Sequence, residues 1–226
     1  VNFTFFWTMN DQILAFGCNR YGQLTSQDKV CHDKTPLLLN QDLLVGTSGI
    51  KKICTGDYHT AILAGDGKLW LSGSNDSGQL GCADSDDNQM TDDDDDNGSS
   101  NSSLVCLKTA NKTPAFVKDV ACGQEHTVVL LQDSSAMAFG KSDRGCCGTL
   151  NNRASNHLHS DIVRIWAGSY VTFLLSGDGT LFACGDNSYG QLGLPVEQDE
   201  RSRTNYISVV TPVTTTPYFE SKDIDD

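Results

Sequence analysis

One phrase recurs four times and constrains this chain more than any other feature: an apolar strand ending in Gly, a polar turn, a second Gly and, in three copies, Gln-Leu. It runs Leu14-Ala-Phe-Gly17-Cys-Asn-Arg-Tyr-Gly22-Gln-Leu24, Leu69-Trp-Leu-Ser-Gly73-Ser-Asn-Asp-Ser-Gly78-Gln-Leu-Gly81, Met137-Ala-Phe-Gly140-Lys-Ser-Asp-Arg-Gly145-Cys-Cys-Gly148 and Leu181-Phe-Ala-Cys-Gly185-Asp-Asn-Ser-Tyr-Gly190-Gln-Leu-Gly193. A second phrase travels with it: Ile53-Cys-Thr-Gly56-Asp-Tyr-His59-Thr, Val120-Ala-Cys-Gly123-Gln-Glu-His126-Thr and Ile165-Trp-Ala-Gly168-Ser-Tyr-Val171-Thr. Strand glycines 17, 73, 140 and 185 are 56, 67 and 45 residues apart, and glycines 56, 123 and 168 repeat the last two steps. Linked phrases that keep one spacing mark an array of small β units.

Each unit can be built from its residues. Asp66-Gly67 and Asp178-Gly179 lie between apolar strands and predict tight hairpin turns, with Gly supplying positive φ. The third unit has Asp133-Ser134-Ser135 there, which predicts a different or looser turn. Gly17, Gly73, Gly140 and Gly185 sit inside strand pattern, where Gly marks a bulge or a close backbone approach, here expected between neighbouring units. No stretch shows helical periodicity over more than a dozen residues, so strands dominate.

The paired signatures Gly-x-x-His-Thr and Gly-x-Asn-x-x-Gly-Gln-Leu-Gly resemble the repeat of the regulator of chromosome condensation family. The resemblance implies an all-β fold, a β-propeller of seven blades, of which this chain carries about four. The units read as a partial first (1–24), a second (25–82), an acidic insert (83–111), a third (112–148), a fourth (149–193) and the start of a further one (194–226). Thr4 to Ile13 aligns with Thr60 to Leu69, so the residues before Gly17 read as a strand of a unit cut on its N-terminal side; the alternative is a natural start at Met9. An incomplete propeller exposes unpaired edges and is expected to be poorly stable or to self-associate.

Formal net charge is −13, and without the eight Asp between Ala83 and Asn97 it would still be −5. No basic surplus exists for a phosphate backbone, so direct nucleic-acid binding is not expected, and no membrane span is visible. Lys51-Lys52 reads as a solvated strand edge. The segment Ala83–Asn111 holds the Asp92–Asp96 run followed by Asn, Gly and Ser, too little apolar surface to order itself, and is expected to be a disordered, dispensable loop.

Nine Cys without a Cys-x-x-Cys pair read as reduced thiols of a cytoplasmic or nuclear protein. Cys54 and Cys122 read as equivalent core fillers before the Gly phrase, and Cys146-Cys147 as a degenerate loop. No metal spacing, cofactor loop or catalytic constellation emerges. His59 and His126 recur with the fold unit and read as structural hydrogen bonds inside each blade.

The variable pairs within Gly-x-x-His are the candidate partner-binding residues: Asp57 and Tyr58, Gln124 and Glu125, Ser169 and Tyr170. Exchange factors resembling this family present acidic residues at these places to the Ran GTPase, which Asp57 and Glu125 match. Three functions follow: a protein-interaction scaffold, a guanine-nucleotide exchange factor for a small GTPase, or a regulatory module of a larger protein such as a ubiquitin ligase. Ultraviolet sensing is disfavoured because Trp7, Trp70 and Trp166 are dispersed.

Overall fold

A computed structural model describes residues 3–8, 12–26, 32–39, 49–82, 100–108, 115–149, 156–195 and 205–213. These residues form strands and turns without a helix. Blade 1 holds β1 (Phe3–Trp7), β2 (Ile13–Gly17) and β3 (His32–Leu39); blade 2 holds β4 (Ile50–Thr55), β5 (His59–Ala64), β6 (Leu69–Ser74) and β7 (Ser100–Cys106). Blade 3 holds β8 (Val117–Cys122), β9 (His126–Leu131), β10 (Ala136–Gly140) and β11 (Asn156–His159), and blade 4 holds β12 (Ile162–Ala167), β13 (Val171–Ser176), β14 (Leu181–Asp186) and β15 (Tyr206–Pro212). Every blade is an antiparallel meander of consecutive strands. Blade 1 has three strands among the described residues, with β1 paired to β2 as Thr4↔Phe16 and Phe6↔Leu14, so the strand read before Gly17 is present.

The sheets are framed one strand later than the sequence units. An up-and-down sheet pairs the strand after the Gly-Gln-Leu loop with the strand before it, so β7 closes on β6 and β15 on β14. The acidic segment is corrected in part by the same pairing. Its residues Ser100–Cys106 are β7, registered as Trp70↔Cys106 and Leu71↔Val105, because the outer backbone of β6 needs a partner for its donors and acceptors. Residues 83–99 and 109–111 of that segment lie outside the described residues.

The core lies between blades. Ala61, Leu63, Leu69 and Leu71 of blade 2 pack with Val117, Val120 and Val129 of blade 3, and Val128, Leu130 and Ala138 of blade 3 pack with Ile165 and Leu174 of blade 4. Ile13 and Leu39 meet Ile62 between the first two blades. The middle strands β5 and β9 are buried on both faces, which explains their unbroken apolar runs. Neighbouring inner strands β4, β8 and β12 adjoin one another, the radial arrangement of a propeller.

One turn expectation is corrected, and that for the strand glycines in part, since register shifts do fall at Gly17, Gly73 and Gly185. Asp133-Ser134-Ser135 does not make a looser turn: Ser134 adopts φ +66°, beside +87° at Gly67 and +89° at Gly179. Its backbone bonds, Leu131 N–H to Ser135 C=O and Ser134 N–H to Leu131 C=O, match those of the Gly turns. The Asp133 carboxylate accepts from Ser135 N–H, as Asp66 does from Lys68, so the side chain rather than Gly stabilises the bend. Second, the strand glycines approach their own blade, not chiefly the next. A Cβ on Gly73 would stand 2.3 Å from the Tyr58 carbonyl, because Ser74 N–H donates to that carbonyl at 2.9 Å. Gly140 and Gly185 repeat the geometry under Glu125 and Tyr170.

Candidate functional site

The loops joining first to second and third to fourth strands must open at the same end of an up-and-down blade. The Gly-x-x-His loops and the Gly-Gln-Leu loops therefore share one face. Two Gly-x-x-His loops and the equivalent Gly168-Ser-Tyr-Val171 loop converge there on a recess of about 330 Å³ lined by Phe3, Thr55, Gly56, Asp57, Cys122, Gly123, Gln124, Gly168 and Ser169. Main-chain bonds join its rim: Asp57 N–H donates to Gln124 C=O at 3.0 Å, and Gln124 N–H to Ser169 C=O at 3.1 Å.

The six candidate residues fall into two tiers. Asp57, Gln124 and Ser169 line the recess. Tyr58, Glu125 and Tyr170 are not part of its lining and meet the loops that follow the third strands. Tyr58 packs edge-on against Tyr21 with ring centroids 5.2 Å apart. Glu125 accepts from Lys141 Nζ at 3.1 Å and Ser77 Oγ at 3.3 Å. Arg144 lies 3.9 Å over the Tyr170 ring while its Nη1 donates to Asp186 Oδ2 at 2.7 Å. The structure thus separates two acids that the motif treats alike. Asp57 has no ion-pair partner among the described residues, whereas Glu125 is neutralised by Lys141.

Electrostatics follow this division. Burial pushes the Tyr58 hydroxyl up, and the negative charges of Asp57 and Glu125 push it further. The hydrogen bond to Glu125 raises Lys141. Burial works against ionised Asp186, but bonds from Ser188 and Arg144 outweigh it and hold the carboxyl low. Lys141, Arg144, Tyr21 and Ser77 were missed as site residues in the sequence; their signal was that both loop families must share one end of the blade.

Beneath the loops, the repeated His and Thr tie blades together rather than bonding within one. Thr60 Oγ1 donates to Gln23 C=O at 2.7 Å, Thr127 Oγ1 to Gln79 C=O at 2.8 Å and Thr172 Oγ1 to Cys146 C=O at 2.7 Å. His59 Nε2 meets Thr127 Oγ1 at 2.9 Å, and His126 Nε2 meets Thr172 Oγ1 at 3.1 Å. Each Thr has already given its proton, so each His must donate from Nε2. The degenerate third loop keeps this scaffold: Cys147 N–H donates to Ser142 Oγ as Leu80 N–H does to Asn75 Oδ1. Lys51 and Lys52 lie on a solvated strand edge, as read, and also reach the next blade, Lys51 Nζ donating to Lys118 C=O at 2.6 Å and Lys52 Nζ pairing with Asp119 Oδ1 at 2.7 Å.

A family model of the Regulator of chromosome condensation (RCC1) repeat matches residues 10–63, 66–130 and 178–215, and a second matches 50–79, 117–146 and 162–191. The X-linked retinitis pigmentosa GTPase regulator of Canis lupus familiaris is 36% identical over 147 residues, 62% of this chain and 13% of that protein. The Regulator of chromosome condensation of Xenopus laevis is 27% identical over 194 residues, 82% of this chain and 41% of that protein. Among solved structures, Prp20p from Saccharomyces cerevisiae superposes with a TM-score of 0.71 at 21% identity, covering 97% of this chain and 51% of that one. Human WBSCR16 also gives 0.71 at 19% identity, covering 94% and 51%. The chain spans about half or less of each relative's length.

Proposed function

Because the chain belongs to the regulator of chromosome condensation repeat family and carries its propeller fold, we propose that it serves as a protein-interaction propeller whose docking surface is the loop face around the Asp57–Gln124–Ser169 rim. One observation carries this reading. Three loops from successive blades converge on a recess while their backbones are bonded rim to rim, giving polar, variable side chains on a rigid support. The recess offers Asp57 without a counter-charge among the described residues, suited to a Lys or Arg of a partner.

A small GTPase as that partner is the second reading, favoured by the acid at position 57 and by relatives described by what they regulate or bind. The canine relative is named a GTPase regulator, and the Prp20p structure is described with binding to Gsp1p and histones. Calorimetric titration of purified small GTPases and of basic peptides onto the chain tests both. An Asp57→Ala, Gln124→Ala double variant is expected to melt like the parent and to bind at least tenfold more weakly, in line with about 2–5 kcal/mol for a desolvated charge pair. Equal binding by the variant overturns the assignment of the rim. Accelerated nucleotide release supports exchange activity, and binding without acceleration leaves the scaffold reading alone.

A further inference from the structure

Cys54 and Cys122, read above as equivalent positions, are not equivalent. Aligned on Gly56 and Gly123, Cys54 matches Ala121, and Cys122 matches Thr55, one residue out of phase. On a pleated strand that offset reverses the face. Cys54 on β4 therefore points toward blade 3 and Cys122 on β8 toward blade 2, both packing against the core between the two. Their Sγ atoms stand 2.8 Å apart.

Packing alone does not require two sulfurs there. The same two positions at the next interface are Ala121 and Ala167, which pack against the core between blades 3 and 4. Two small apolar side chains thus fill the equivalent space. Both residues are half-buried rather than sealed in the core, and Cys122 lines the recess together with Thr55. Burial and the adjacent Cys54 push the Cys122 thiol up.

We infer that Cys54 and Cys122 form an oxidant-responsive thiol pair that closes to an inter-blade disulfide beside the recess. Hydrogen peroxide is the class of oxidant small enough for this site. One sulfur attacks the peroxide, the O–O bond breaks, and a sulfenic acid and water form. The second sulfur then displaces the sulfenic oxygen, which leaves as water with the remaining thiol proton. The S–S bond has formed, two thiols have lost two electrons, and peroxide has been reduced to two waters. Closing needs the sulfurs to move together by under about 1 Å. The bond fixes β4 to β8 directly below the Asp57–Gln124 contact, so oxidation stiffens the rim whether or not that rim binds a GTPase.

Peptide mass spectrometry without reductant, after exposing the folded chain to hydrogen peroxide, tests this. The expected product is one cross-linked species containing Cys54 and Cys122, two hydrogens lighter and reversed by dithiothreitol. Amide exchange at Asp57 and Gln124 is expected to slow several-fold in the oxidised chain, and Cys54→Ala is expected to remove both effects. Should that variant fail to fold, the parent cross-link decides alone. Links of Cys54 or Cys122 to other cysteines, or stable sulfinic acid at either without a cross-link, overturn the inference.

Discussion

His59 Nε2 lies 2.9 Å from Thr127 Oγ1, a hydroxyl on the next blade that itself donates to the carbonyl of Gln79 on the histidine's own blade. One hydroxyl of blade 3 thereby links a middle strand and a loop of blade 2, accepting from the histidine and donating to the loop carbonyl. The ring is fully buried, and its Nδ1 has no hydrogen-bond partner among the described residues. Burial, reinforced by His126, lowers its pKa from 6.5 to about 3. The neutral Nε2–H tautomer is therefore the form that holds the blades.

Acid should weaken the fold through this group. The folded pKa is depressed, so the contribution is complete above the unfolded value of 6.5 and is lost as pH falls from there toward about 3. The loss is about 1.4 kcal/mol per pH unit within that window. Urea unfolding at pH 6.5 and pH 5 is expected to show the parent losing about 2 kcal/mol more than His59→Gln. Parallel losses in the two proteins would place the acid sensitivity elsewhere.

Gly73→Ala is expected to destabilise by on the order of 3 kcal/mol. Its backbone is at φ +113°, and the new Cβ would stand 2.3 Å from Tyr58 C=O and 2.7 Å from the His59 Cα, both main-chain atoms that cannot swing aside. Gly177→Ala, whose nearest neighbour would be 3.7 Å away, serves as the control and should change the denaturation midpoint little.

Ser134→Gly should stabilise the chain by about 1 kcal/mol, since Ser134 holds φ +66° in a turn where Gly bears no steric cost. Asp133→Ala, which removes the acceptor for Ser135 N–H, should act in the opposite direction. Thermal melts of the two variants check the signs, and a destabilised Ser134→Gly would mean that unfolded-state entropy outweighs the relieved strain.

Two deletions separate the acidic tract from the strand that follows it. Removing residues 84–98 is expected to leave the melting temperature nearly unchanged. Removing 84–111 takes away β7, leaves the outer backbone of β6 unpaired and loses buried Leu107, which alone is worth about 2 kcal/mol. Equal melting of the two deletions would show that β7 contributes nothing to blade 2.

The recurrent phrases by themselves determined the strand content, the blade type and the loops that carry the candidate residues. Hairpin turns, strand bulges and alternating burial are local consequences of residue type, legible at Asp66-Gly67 or Gly73 without knowing what lies beside them. What only the tertiary structure decided lies between blades. His59 and Thr127 are 68 residues apart, as are Cys54 and Cys122, and nothing in either phrase says that the members of each pair will meet. The separation of Asp57 from Glu125 has the same origin, since Lys141 reaches Glu125 only because two loop families share one end of the sheet. Ser134 in a glycine conformation and β7 in an acidic tract show the remaining gap. In both, hydrogen bonding imposed by an adjoining strand overrides local preference, because an unpaired backbone group inside a sheet costs more than a strained turn or a poor strand former.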